Sequence, residues 1–101
     1  MSESVVVTYS VKPDSLEDHL RLIEGVFEQL NVDQVLGVEY RVFCLADGVS
    51  FVHVATTHTA DGSNPLPALA AFREFTRELS SRVTRPPTSS AARVVGSHSQ
   101  I

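Results

Sequence analysis

Residues 5–11 open on Val5-Val6-Val7 and stay mostly apolar and β-branched through Val11. Branched side chains pack well on a pleated surface, and an unbroken apolar run predicts a strand covered on both faces. Lys12-Pro13 ends it, because proline donates nothing to a hydrogen-bond ladder. Leu16, Leu20, Ile23, Phe27 and Leu30 then recur at steps of four and three, with Glu17, Arg21, Glu24 and Glu28 between them. That spacing predicts an amphipathic helix with an apolar stripe on one side. Asp14 or Ser15 is the expected cap, with Glu17 and Asp18 three residues on from each. Asn31 is the expected stop, and Gly25 weakens the helix slightly. Residues 35–46 alternate: Val38, Tyr40, Val42 and Cys44 share one face, and Glu39, Arg41, Phe43 and Leu45 share the other. Asp47-Gly48 follows and predicts a tight hairpin turn, since both residues tolerate positive φ. The returning strand covers residues 50–58. Asn64-Pro65 predicts a cap and a first helical turn. Leu69, Phe72, Phe75 or Thr76, Leu79 and Val83 mark a second amphipathic helix, which Arg85-Pro86-Pro87 stops. A short last strand is expected over residues 93–97.

The order strand, helix, strand, strand, helix, strand predicts a ferredoxin-like α+β domain: a four-stranded antiparallel sheet with two helices on one face. Residues 1–101 form this single domain, with 99–101 a polar tail. The face away from the helices would carry Val6, Phe43, Leu45, Val52, Val54 and Val95. A sheet face this apolar calls for a cover, and a second copy of the chain is the expected one. The other reading is a register slipped by one residue, which would bury the same side chains under the helices.

With 43% hydrophobic and 20% charged residues, the 101-residue chain is expected to fold as one domain. The net charge of -4 and the lack of a basic face argue against nucleic acid as a partner. No apolar run approaches the length of a membrane span. Met1-Ser2-Glu3-Ser4 has no basic cluster, so no signal peptide is expected. The single cysteine, Cys44, excludes an internal disulfide framework and fits a reducing cytoplasm.

Four side chains are expected on the helix-facing side of the sheet: Tyr9, Tyr40, Cys44 and His53. Phe72 and Phe75 close the space above them, which is the usual place for a small apolar pocket with a few polar groups. His53 lies among Phe51, Val52, Val54 and Ala55, so burial keeps it neutral. As a base it would take a proton from a phenol or an activated carbon acid, with Tyr40 holding the oxyanion. Alternatively it is a core histidine bonded to a neighbour such as a tyrosine. Tyr9 and Tyr40 have the same two readings, as substrate contacts or as core. Cys44 reads as a small buried hydrophobe or a substrate contact. His58 lies five residues from His53 and turns to the opposite face. His19 is expected on the charged face of the first helix and His98 in the tail. Histidines so scattered predict no metal site. Glu39 and Arg41 either pair across an interface or line a solvated edge. The sequence has no glycine-rich phosphate loop and no dinucleotide fingerprint.

Residues 5–13 (VVVTYSVKP), 37–43 (GVEYRVF), 50–55 (SFVHVA) and 69–75 together resemble the antibiotic biosynthesis monooxygenase-like family of dimeric α+β barrels. The stretch 64–72 (NPLPALAAF) resembles a bacterial branch of it. The resemblance spans nearly the whole chain and implies a homodimer. The family includes oxygenases that use no cofactor, haem-degrading enzymes, and members with no assigned role. Many relatives carry a glutamate and a tryptophan late in the third strand, where this chain has Ala55 and Thr57. Haem-degrading relatives use a histidine on the second helix, where the facing positions here are Ala71 and Thr76. Haem degradation is therefore not expected. The resemblance implies a cofactor-independent oxygenase acting on a small aromatic or polyketide-like compound, with His53 and Tyr40 catalytic and Tyr9, Cys44, Phe72 and Phe75 binding substrate. No cofactor and no metal are expected. The alternative is a non-catalytic dimeric module that binds a small ligand or serves assembly.

Overall fold

A computed structural model describes residues 3–101. Met1 and Ser2, which belong to the stretch read as carrying no signal peptide, lie outside the described residues. Strand β1 spans Glu3–Val11 and ends at Lys12-Pro13 as expected; Pro13–Ser15 then form a 3-10 turn. Helix α1 spans Leu16–Val32, one residue past Asn31. Neither Asp14 nor Ser15 caps it through a side-chain oxygen. The 3-10 turn brings the chain into the helix instead.

The buried face of α1 is rotated from the expected stripe. His19 is fully buried and Val26 is 1% exposed, whereas Leu20 is 45% exposed. At 100° per residue, the set Leu16, His19, Ile23, Val26 and Leu30 makes a narrower stripe than one that includes Leu20. The expectation that His19 lies on the charged face is therefore overturned.

Strand β2 spans Val38–Cys44 and β3 spans Ser50–Thr57. The turn between them is longer than the tight turn expected at Asp47-Gly48. Leu45 N–H bonds to Ser50 O, and Gly48 N–H to Leu45 O. Gly48 has φ +78°, and Asp47 does not share its positive φ. The Asp47 carboxylate instead accepts the N–H groups of Val49 and Ser50. These bonds hold its pKa below the ordinary carboxylate value, the Ser50 hydroxyl contributing most.

Asn64 Oδ1 accepts Leu66 N–H at 3.0 Å, but the capping position is Pro65, not Asn64, and Pro65 is not the first helical residue as expected. Pro65 opens only a 3-10 turn, Leu66–Ala68. The helical segment after it is split into α2, Ala70–Arg77, and α3, Leu79–Arg82. Gln29 of α1 accepts the Ala71 N–H at 2.8 Å and ties α2 to α1. Val83 turns extended and begins β4, Val83–Ala92. The last strand thus lies about ten residues earlier than expected and contains Pro86 and Pro87. It is an edge strand, and its pairing with β1 shifts register between Thr8 and Ser10, opposite the prolines. A bulged edge tolerates residues with no N–H to donate. Val95 consequently lies in the irregular segment after β4, 87% exposed, and not in a strand.

All neighbouring strands are antiparallel, in the order β2-β3-β1-β4, and the helices pack on the sheet. The ferredoxin-like expectation holds. Tyr9, Val11, Val26, Phe51 and Phe75 form the core. Each such side chain contributes about 1.5–3 kcal/mol by leaving water. Val6, Val52 and Val54 lie on the other face with Phe43 and Leu45, which are 46% and 47% exposed. At one end of that face Ser4 and Thr56 are buried and bonded to each other at 2.8 Å. They lie in one cross-sheet row with Ala92 and Glu39. Ser97, His98 and Ser99 line a cleft with Glu39 and Arg41, so the segment after β4 reaches the opposite edge of the sheet. His58 Nε2 lies 3.4 Å from Glu39 Oε1 there.

Candidate functional site

Register brings the polar side chains together. His53 pairs with Val7 on β1 and with Val42 on β2. Tyr9 and Tyr40 each sit two residues from those valines, at diagonal positions on the helix-facing side. Diagonal neighbours on a sheet are about 7–8 Å apart, within reach of an aromatic side chain. Both tyrosines therefore reach the same imidazole. Tyr9 Oη lies 2.6 Å from His53 Nε2, and Tyr40 Oη lies 2.6 Å from His53 Nδ1.

The network continues away from the sheet. Tyr9 Oη also lies 2.6 Å from His19 Nε2 on α1, and Arg82 Nε donates to His19 Nδ1 at 3.2 Å. Arg82, at the end of α3, is 8% exposed; its guanidinium also donates to Phe75 O at 2.5 Å and lies 5.7 Å from the Phe75 ring. Packed rings hold the chain in place. Phe51 stacks on Tyr9 with centroids 5.7 Å apart, and Phe27 stacks on Tyr40 at 5.1 Å.

Burial sets the protonation states. It pulls His53 down to about 4, with the nearby His19 adding to the effect. It pulls His19 down to about 4 as well, helped by Arg82. Burial pushes both tyrosines well above the ordinary phenol value; for Tyr9 the Tyr40 hydroxyl adds and Arg82 opposes. At neutral pH the two histidines and two tyrosines carry no charge.

Above this chain lies a cavity of about 210 Å³ with mostly apolar walls. Tyr9, Tyr40, His53, Phe72 and Phe75 all line it, as expected from the sequence. Cys44 does not: it is exposed at the end of β2, so its expected burial and its place in the pocket are both corrected. β2 is an edge strand, and Cys44 stands at its end beside the hairpin loop. Thr76 lines the cavity too, and Asn64 borders it. Sequence reasoning missed His19 and Arg82. The only signal for His19 was its spacing from Leu16, Ile23 and Val26, and nothing local marked Arg82. A larger open cleft of about 480 Å³ lies between α1 and α3, lined by Asp18, Arg21, Glu78 and Arg82, but it holds neither tyrosine nor histidine. Among the described residues, no three His, Cys, Asp or Glu side chains are grouped to share a metal ion. No described helix is long and apolar enough to cross a membrane.

No family model and no curated protein matches the chain. Solved structures do. A Nitrosomonas europaea protein named as a candidate antibiotic biosynthesis monooxygenase superposes with a TM-score of 0.76 at 17% identity, covering 93% of this chain and 90% of its own. The Mycobacterium tuberculosis protein Rv0793 gives 0.75 at 15% identity, with 98% and 100% covered. A structure named as an antibiotic biosynthesis monooxygenase gives 0.75 at 16%, with 93% and 99% covered. The chain has their fold. Identities this low carry the architecture and no activity.

Proposed function

We propose that this protein is a cofactor-independent oxygenase for a small aromatic or polyketide-like compound bound in the cavity over Tyr40. The observation that carries the reading is a mostly apolar cavity of about 210 Å³ lined by the hydrogen-bonded His53–Tyr40 pair. Typical small-molecule sites hold about 300–1,000 Å³, so the cavity suits a compound of very few rings. The chemistry needs no reductant. A substrate that loses a proton to form a phenolate or enolate passes an electron to O₂, and the radicals combine into a hydroperoxide. Breaking the O–O bond then leaves a carbonyl on the substrate and releases water, one of whose hydrogens is the proton first lost (from O–H in a phenol, from C–H in a carbon acid) and the other the remaining hydrogen of the oxidised carbon. The protein's part is to bind the ring, exclude water and hold the anionic oxygen.

Tyr40 supplies the hydrogen bond to that oxygen, and His53 positions Tyr40. With both ring nitrogens engaged and its pKa near 4, His53 is a weak free base. The protein acts as a homodimer in this reading, because Val6, Phe43, Leu45, Val52 and Val54 leave an apolar strip on the face away from the helices. The structures named as monooxygenases share the fold and support the same reading.

Oxygen-electrode assays with phenols, hydroquinones and 1,3-dicarbonyl compounds, without added cofactor, test it. Tyr40→Phe should lower turnover by roughly a hundredfold, the usual effect of losing one oxyanion donor. His53→Ala should lower it comparably, and His53→Asn should recover part. Wild-type turnover by Tyr40→Phe would defeat the reading. One observation favours a second reading, a non-catalytic ligand-binding module: both nitrogens of His53 are satisfied by protein. Ligand binding without oxygen uptake would establish that.

A further inference from the structure

The five side chains Arg82, His19, Tyr9, His53 and Tyr40 form one continuous chain of hydrogen bonds from the α3–β4 junction to the cavity. Its direction follows from counting protons. A guanidinium has only donors, so His19 Nδ1 must accept from Arg82 Nε. Neutral His19 then carries its proton on Nε2 and donates to Tyr9. Tyr9 has one proton for two imidazole contacts; one is filled by the His19 donor, so Tyr9 donates to His53 Nε2. His53 keeps its proton on Nδ1 and donates to Tyr40. The Tyr40 proton has no protein acceptor among the described residues, and Tyr40 lines the cavity.

The charged alternatives fail on the same count. An imidazolium at His19 would set a second N–H against Arg82 Nε at 3.2 Å, donor against donor and cation against cation. An imidazolium at His53 would give Tyr9 two incoming donors, leaving its own proton with no acceptor at a residue 2% exposed. The groups facing the chain are Tyr9 from β1, His19 from α1, Tyr40 from β2, His53 from β3 and Arg82 from α3. From α2 come the rings of Phe72 and Phe75. Cys44 also bears on Tyr9, more weakly than Arg82.

We propose that Arg82, at the far end from the cavity, fixes this chain in one direction, so that the site offers its ligand a single O–H donor and takes an oxyanion or carbonyl acceptor in preference to a neutral hydroxyl. Where the ligand sits rests on the reading of the cavity above; the direction of the chain does not. Each bond in the series polarises the next, so the outermost O–H is a stronger donor than an isolated phenol. Arg82 touches no ligand: it is a positioning residue.

The direct test is nitrogen NMR of the ¹⁵N-labelled protein at neutral pH, which reads each tautomer. The expected result is the Nε2–H form for His19 and the Nδ1–H form for His53. The opposite form at either residue, or an imidazolium at either, overturns the proposal. In Arg82→Met the lock is gone, and both histidines should show mixed tautomers. Should that variant fail to fold, Tyr9→Phe cuts the chain at its centre and should leave His19 fixed while His53 becomes mixed. A His53 still held purely as Nδ1–H in Tyr9→Phe overturns the relay. A second arm uses 4-nitrophenol, whose phenolate is coloured. Bound to the wild type, its phenolate-to-phenol ratio should rise about tenfold or more over free solution, the range one hydrogen bond to a charged group supplies. Tyr40→Phe should remove the rise. Binding as the neutral phenol overturns the proposed ligand class. Failure of 4-nitrophenol to bind, with the expected tautomers, counts against the cavity reading and leaves the chain intact.

Discussion

Acid should begin to destabilise this protein before its carboxylates are protonated. His19 is fully buried and His53 is 6% exposed, and both are held near 4 against an ordinary histidine value of 6.5. In the unfolded chain each takes up a proton as the pH falls below about 6.5. In the folded chain neither does so until about pH 4. Between those limits the unfolded state binds more protons, so stability falls as the pH falls. It is fully present above pH 6.5 and levels off below pH 4. One pKa unit is worth about 1.4 kcal/mol, so each histidine alone accounts for roughly 3 kcal/mol. The two share one network and part of the His53 shift comes from His19, so the joint loss is on the order of 5 kcal/mol. That is comparable to the whole stability of a small domain, about 5–15 kcal/mol. Asp47 and Asp61 are also shifted downward, by their bonds to Ser50 and Ser63, but their window opens only below 3.8.

Urea unfolding followed by circular dichroism, at fixed ionic strength and protein concentration from pH 8 to pH 4, reads this directly. The unfolding free energy should fall steadily below pH 6.5. His19→Gln, which does not titrate, should be less stable at pH 8 and show about half the slope. A wild-type free energy constant to within about 1 kcal/mol from pH 7 to pH 4.5 would refute the buried network. So would a His19→Gln slope equal to the wild type's.

Three further outcomes are expected. Gly37 has φ +85°, and an added Cβ would meet the Thr59 methyl at 2.7 Å, so Gly37→Ala should cost about 1–3 kcal/mol in urea unfolding. Gly48→Ala, at φ +78° with open space around it, should cost less; equal costs would mean that Thr59 moves aside. The Cys44 thiol should react with Ellman's reagent in the native protein, and a need for denaturant would mean that its end of β2 is covered in solution. Light scattering should give a dimer for the wild type and monomer or aggregate for Val54→Lys, since a charge on the apolar strip is costly to bury. A wild-type monomer of 11.0 kDa would rule out the sheet-to-sheet dimer.

The parts of the fold that bury apolar surface were legible in the sequence. The valine run gave β1, alternation placed Tyr40 and Phe43 on opposite faces of β2, and Asp47-Gly48 marked the hairpin. β4 was not legible, because its stability does not come from side chains. Nine of its ten residues, Thr84 to Ala92, are exposed. It is held by backbone bonds to β1, which a hydrophobic pattern cannot register. Pro86 and Pro87 then read as a stop, because a central strand would reject them and only an edge strand accepts them. Turn chemistry was legible by residue type and not by length: the Asp47 carboxylate bonded its own loop, which a dipeptide rule does not specify.

The candidate site divides along the same line. Tyr9, Tyr40 and His53 could be brought together from strand parity alone, because parity survives small errors of boundary. His19 could not, since one extra leucine in the helical stripe turns the inferred face far enough to put a buried residue outside. A buried imidazole also requires a partner, and the partner of its Nδ1 lies 63 residues away. The misplaced fourth strand hid that partner. If the second helix is carried through to Val83, Arg82 reads as a basic residue on the flank of an exposed helix. With α3 ending at Arg82 and the chain turning into β4, the same side chain lies at a junction packed against α1 and is drawn inward. A single boundary thus decides whether the network contains a cation. That cation determines which way its protons point, and hence whether Tyr40 meets a ligand as donor or as acceptor.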